Sequence, residues 1–175
     1  MSSRLKGLPP LVPDDARVLI LGSMPGVASL QAASYYAHPR NLFWPLLSRW
    51  RGIAAPATVL AEQAAWLRGS GLALWDVVGA CERPGSLDSA IAAASVEAND
   101  LAGLLEQHPA IHTLCFNGQA AWQLFQRHPL RREPARYAAL TLLPLPSTSP
   151  ANASQPVERK QQAWFAALDR SGTQQ

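Results

Sequence analysis

Four short apolar runs divide this chain, and helical spacing of apolar positions fills the stretches between them. The first run, Val18 to Leu21, holds no polar residue and predicts a buried parallel strand over Arg17–Leu21. The second, Leu72–Val78, carries one carboxylate, Asp76, inside it. The third is His112–Phe116, closing in Asn117-Gly118, and the fourth is Tyr137–Leu143. Pro45 fits only the first turn of a helix, which predicts one from Phe43 to about Arg51. Thr58 predicts an N-cap for a helix to about Arg68. Asn99 or Asp100 caps a short helix to about His108, another runs from Gln119 to about His128, and Val157–Leu168 closes the chain. Residues 129–137 are basic and interrupted by proline, which predicts a surface loop, and Cys81–Ser86 is a loop as well.

Strands alternating with helices predict a three-layer α/β/α sandwich around a mainly parallel, four-stranded central sheet. One domain is expected over 1–175, with an extended, proline-rich lead-in expected over 1–16 and a disordered tail expected over 170–175. The 48% hydrophobic share supports a packed core, and a chain of 175 residues buries about 70% of its unfolded surface. The net charge of +3 permits a nucleic-acid partner without requiring one. Two cysteines, Cys81 and Cys115, make neither a disulfide framework nor a zinc quartet, and cannot supply the four thiolates of an iron–sulfur cluster. No segment has the apolar length of a signal peptide core or a membrane span, so a soluble, cytoplasmic protein is expected.

Parallel strands place their carboxyl ends on one edge, where open α/β sheets bind ligands. Three loops should therefore share a crevice: Gly22-Ser-Met-Pro-Gly26 with Tyr35–Asn41, Phe116-Asn-Gly118, and Pro146–Asn152. Two aromatics, a cation and a carboxamide beside a glycine turn suit a ring that is stacked and hydrogen-bonded. Dinucleotide fingerprints, Walker loops, HExxH and nucleophile elbows do not occur.

Gly22-Ser-Met-Pro-Gly26, then Tyr36-Ala-His-Pro-Arg-Asn-Leu-Phe-Trp44, then Leu145-Pro-Ser-Thr-Ser-Pro-Ala-Asn152 together resemble the uracil-DNA glycosylase superfamily. The likeness is greatest to its hypoxanthine-DNA (deoxyinosine) branch, and His-Pro-x-Asn-x-Phe-Trp is also similar to the mismatch-specific uracil/thymine branch. The resemblance implies a monofunctional enzyme of base excision repair that flips a deaminated base from DNA and hydrolyses its N-glycosidic bond. No metal and no organic cofactor are implied, and the partner is damaged duplex or single-stranded DNA bound by a monomer. Asn41 would position the attacking water. Tyr36 would stack on the base, Asn117 would read its edge, and the backbone of Ser23 and Met24 would line the pocket.

Arg40, Ser147, Thr148 and Ser149 would contact phosphates, and Pro150-Ala151-Asn152 would wedge into the duplex. Arg131, Arg132 and Arg136 are further phosphate candidates. Relatives that carry Asp or Asn where this chain has Met24, and histidine where it has Ser147, use those groups for uracil. Their absence favours hypoxanthine.

Simpler structural readings accompany several of these residues. His38 suits a loop-ordering hydrogen bond, Asn41 a helix cap and Asn117 a brace for the Gly118 turn. Asp76 reads as a buried structural acid, although a perturbed carboxylate at a strand end is also a mark of chemistry. Trp44, Trp66, Trp122 and Trp164 belong to the core. Other readings from the same residues are a noncatalytic nucleic-acid-binding relative and a small-molecule hydrolase.

Overall fold

The chain alternates strand and helix as its apolar pattern requires, and the computed structural model describes residues 3–172. In order it forms β1 (Arg4–Lys6), β2 (Val18–Gly22), α1 (Val27–Ala32), α2 (Phe43–Arg51), α3 (Leu60–Leu67), β3 (Leu72–Asp76) and β4 (Val78–Glu82). There follow β5 (Glu97–Ala98), α4 (Leu101–Gln107), β6 (Thr113–Asn117), α5 (Gln119–Phe125), α6 (Pro134–Tyr137), β7 (Thr141–Leu145) and α7 (Val157–Arg170). The main sheet runs β3-β2-β6-β7 with every pairing parallel. Helices on both faces complete the three layers.

All five residues of β2 are buried, as an uninterrupted apolar run at the centre of a covered sheet must be. Alternate side chains feed opposite cores. Val18, Ile20, Leu72, Leu74 and Cys115 pack with Phe43, Leu47 and Trp164 on one side. Leu19, Leu21, Ala73, Leu114 and Phe116 pack with Leu101, Phe125 and Tyr137 on the other. Each fully buried Val, Leu, Ile or Phe among them stabilises the fold by roughly 1.5–3 kcal/mol, so both faces hold the strand ends in place.

Several expectations are refined. The second apolar run splits after Asp76, and its continuation enters a separate antiparallel sheet, β1-β4-β5. The lead-in is therefore partly a strand, and Leu11 adds a reciprocal pair of backbone bonds to Leu74 at 2.9 Å. Cys81 and Glu82 belong to β4 rather than to a loop.

Thr58 is not the cap of α3. Extended Val59 precedes the helix and no side chain caps it, so its stability comes from packing Trp66 and Leu67. Asp100, rather than Asn99, caps α4 by accepting from the Gly103 amide at 2.9 Å. Beyond α5 the chain winds through a π turn, Gln126–Leu130, into α6, so Tyr137 is helical and buried against Phe125. The last strand consequently starts four residues later than its apolar run suggests. Pro144 is admitted there because β7 is an edge strand. Of the expected tail, Arg170 ends α7 and Ser171 follows it, while 173–175 lie outside the described residues. Among the described residues no helix is long and apolar enough to cross a membrane.

Candidate active site

The three loops meet around a cavity of about 440 Å³ at the carboxyl edge of the main sheet. Its floor is the end of β2. Gly22 is in register with Asp76, and its carbonyl and that of Ser23 accept from Val77 and Val78 at 2.8 and 3.0 Å. A Cβ at Gly22 would stand 2.4 Å from Asp76 Oδ1 and 3.2 Å from the Tyr36 hydroxyl. Only glycine lets both polar atoms converge over the strand end.

Tyr36 reaches this point by a costly backbone conformation. Its φ of +52° lies in the left-handed region, rare for an aromatic residue. Its ring stacks on Phe43 with centroids 3.9 Å apart and planes inclined by 24°. Its hydroxyl is buried over the strand end, close to the Asn117 carboxamide and the Asp76 carboxyl. Burial, then the nearby Asp76 carboxyl, pushes the phenol well above its ordinary pKa, so it stays neutral. In the same segment His38 Nδ1 accepts from the Arg40 amide at 3.1 Å, the loop-ordering bond its position suggested. Arg40 is exposed and makes no ion pair among the described residues. Asn41 Oδ1 accepts from the Phe43 amide at 2.9 Å. That fastens its carboxamide to the start of α2, where backbone N–H groups favour negative charge.

Asn117 and Thr148 lock the other two loops together. The Asn117 amide donates to the Thr148 hydroxyl at 2.9 Å, and its Oδ1 accepts from the Thr148 N–H at 3.0 Å. Thr148 is 1% exposed, so its hydroxyl serves this pair and does not face solvent. Its carbonyl accepts from the Leu42 amide at 3.0 Å, which joins the third motif to the Asn41 segment. Gly118 is obligatory beside it: φ is +98°, and a Cβ would come within 2.9 Å of the Ser147 Cβ. Ser147, Ser149, Pro150 and Ala151 line the cavity wall. Asn152 lies just outside, its carbonyl held by the buried Lys160 ammonium. Trp164 donates to the Pro146 carbonyl at 2.9 Å, so α7 grips the loop at both ends.

Three further residues shape the site and escaped sequence reasoning. Arg83 is 3% exposed and donates to the carbonyls of Pro25 at 2.6 Å, Gly85 at 2.9 Å and Met24 at 3.4 Å. It thereby clamps the first glycine loop from the end of β4, while the Met24 side chain is buried with Val78 and Cys81. Asp88, on the cavity wall, accepts from the Ser23 hydroxyl at 2.6 Å. Lys160 is 2% exposed although it is a cation of the closing helix, and its ammonium donates to the Asn152 carbonyl. Each has a partner at least 8 residues away in sequence, and no local pattern announces it.

Asp76 itself is 4% exposed, and its Oδ2 has no hydrogen-bond partner among the described residues. Burial, then the Asp88 carboxylate, raises its pKa from 3.8 to about 7, with Arg83 pulling the other way. A carboxyl so placed keeps its proton to higher pH than an exposed aspartate does.

The basic run at 131–136 does not belong to this site. It precedes β7 at the amino edge of the sheet, opposite the cavity, and Arg136 pairs there with Glu106 and Glu133. Arg131, Arg132 and Arg136 are thus surface residues of the far edge. Among the described residues no three His, Cys, Asp or Glu side chains gather as metal ligands.

Comparison with known proteins agrees with this geometry. The Uracil DNA glycosylase superfamily matches residues 9–168. A protein of Methanosarcina acetivorans named hypoxanthine DNA glycosylase is 35% identical over 116 residues, 66% of this chain and 72% of the relative. One of the same name from Methanosarcina barkeri is 33% identical over 114 residues, 65% and 71% of the two chains. A solution structure from Methanosarcina acetivorans, provisionally described as a uracil DNA glycosylase, superposes with a TM-score of 0.75. It is 31% identical, and the superposition covers 97% of this chain and 99% of that one.

Proposed function

The chain belongs to the uracil DNA glycosylase superfamily, and we propose that it excises hypoxanthine from deoxyinosine in DNA by hydrolysis of the N-glycosidic bond. The observation that carries this reading is the cavity floor. A strained tyrosine backed by Phe43 brings its buried hydroxyl over the strand end beside the Asp76 carboxyl, in a space within the usual size of small-ligand sites. A flipped purine meets the open face of Tyr36 and finds hydrogen-bonding partners at its edge. The two relatives named for hypoxanthine support the choice of base.

Asn41 orients the attacking water. Its Oδ1 spends one lone pair on the Phe43 amide and keeps the other for a water proton. Being a carboxamide it takes no proton away, so the water adds to a sugar that already has oxocarbenium character. Asn117, held at both ends by Thr148, offers its second amide hydrogen to the base edge. Arg40 and the hydroxyls of Ser147 and Ser149 meet the flanking phosphates, with Thr148 setting their loop. Pro150, Ala151 and Asn152 occupy the gap the base leaves.

The test uses end-labelled duplexes bearing inosine, uracil, xanthine or ethenoadenine, incubated with protein and then cleaved with alkali. A break at inosine that disappears in Asn41→Ala, with DNA binding retained, is the expected result. Breaks chiefly at uracil would transfer the reading to the mismatch uracil/thymine branch, and silence on every substrate to a noncatalytic DNA binder.

A further inference from the structure

Two carboxylates line the cavity, and they are not equivalent. Asp88 accepts from the Ser23 hydroxyl, whereas Asp76 has no hydrogen-bond partner for its Oδ2 among the described residues. It is fixed at the end of β3, where the Asp76 carbonyl accepts from Asn99 Nδ2 at 2.8 Å. Its Oδ1 projects over Gly22 toward the same point as the Tyr36 hydroxyl. A buried polar atom left unpartnered at a cavity calls for a function, and a ligand atom in the cavity would give this carboxyl its partner. We propose that Asp76 is the general acid of the reaction, donating its proton to a ring nitrogen of the departing purine while the Tyr36 hydroxyl contacts the same edge. This inference rests on the glycosylase reading and deepens it.

The groups facing the carboxyl are the hydroxyls of Tyr35 and Tyr36, the Asp88 carboxylate and the Arg83 guanidinium. Both tyrosines are pushed far above neutral values, first by burial and then by Asp76, so neither supplies charge. Burial and Asp88 outweigh Arg83, and the acid remains substantially protonated up to about pH 7. That is where a general acid is most effective.

Hypoxanthine is the substrate for which such an acid matters. Its N7 and N3 are basic ring nitrogens, whereas uracil offers carbonyl oxygens and an N–H. In the proposed step the Asp76 O–H proton moves to the ring nitrogen and the C1′–N9 bond breaks, with its electron pair going to the base. Hypoxanthine leaves neutral. Water held by Asn41 adds its oxygen to C1′ and releases one proton to solvent, which returns a proton to Asp76.

The experiment measures single-turnover rates from pH 5.5 to 9 on duplexes carrying hypoxanthine, 7-deazahypoxanthine or 3-deazahypoxanthine, with wild type and Asp76→Asn. Binding is followed separately on a duplex carrying non-cleavable 2′-fluoro-deoxyinosine. The wild-type rate on hypoxanthine is expected to fall about tenfold per pH unit above pH 7. Asp76→Asn is expected to bind normally, to cleave at least about 100-fold more slowly and to lose that pH limb. On the deaza base that lacks the protonated nitrogen, wild type should already be slow and the substitution should change nothing more.

A variant that keeps the wild-type rate and pH limb would overturn the proposal. So would equal losses on all three bases, which would mark a positioning or packing role. The deaza comparison in wild type reads the same step even if Asp76→Asn folds poorly: rates insensitive to both replacements would refute proton donation. Wild-type protein that cleaves no hypoxanthine at any pH would instead sink the glycosylase reading, and this inference with it.

Discussion

Asp76→Asn should raise stability relative to wild type as the pH increases, and the size of the effect follows from where the carboxyl sits. An aspartate titrates near 3.8 in the unfolded chain and at about 7 in the cavity. Between those values the folded protein retains a proton that the unfolded chain has released. Stability contributed by Asp76 is therefore complete below about pH 4 and is lost as pH rises through about 7. A window of roughly three pH units, at about 1.4 kcal/mol each, amounts to an upper bound of about 4 kcal/mol; about 2.5 kcal/mol of it falls between pH 5 and pH 8. Asparagine has nearly the same shape and does not titrate, so the constant cost of a buried amide cancels when variant and wild type are compared across pH. Urea unfolding of both proteins at pH 5, 6, 7 and 8 and fixed ionic strength gives the difference directly. A difference that stays within about 0.5 kcal/mol over the range would show that the carboxyl ionises as freely in the folded protein as in water, and the account of the cavity floor would be wrong.

Gly22→Ala should fold but lose cleavage by about 100-fold or more in a single-turnover assay, because the new Cβ drives apart Asp76 Oδ1 and the Tyr36 hydroxyl, 2.4 and 3.2 Å away. Activity near wild type would show that the two oxygens need not converge. Thr148→Val leaves the Asn117 amide without its partner and should cost about 1–3 kcal/mol in urea unfolding. An unchanged midpoint would mean that the pair does not hold the loops. Arg40→Gln should lower DNA affinity and reduce the slope of log affinity against log salt by about 1, while Arg131→Gln and Arg132→Gln leave both unchanged. A salt titration that ranks these three alike would place the DNA across a different face.

Much of this protein is written in local patterns. An uninterrupted run such as Val18–Leu21, bounded by a glycine turn, fits a strand buried on both faces, and Pro45 ahead of an apolar helical pattern marks a first helical turn. Parallel strands share a carboxyl edge, so the placement of Tyr36, Asn41, Asn117 and Ser147 in one crevice followed from topology alone. Where local signals competed, they misled. The apolar residues Tyr137 to Leu140 read as strand, yet Tyr137 packs edge-on against Phe125, 4.9 Å between centroids, as the end of a helix.

The tertiary structure decided everything that depends on distant partners. Arg83 looks like a loop cation until the carbonyls of Met24 and Pro25, more than fifty residues earlier, close around it. Arg131, Arg132 and Arg136 look like phosphate contacts until the chain path places them at the opposite end of the strands. Asp76 could be located by its apolar neighbours, but not its protonation. The charge state of a buried carboxyl is set by the water it loses and the charges it faces, and only the packed fold brings Asp88, Arg83 and Tyr36 around it.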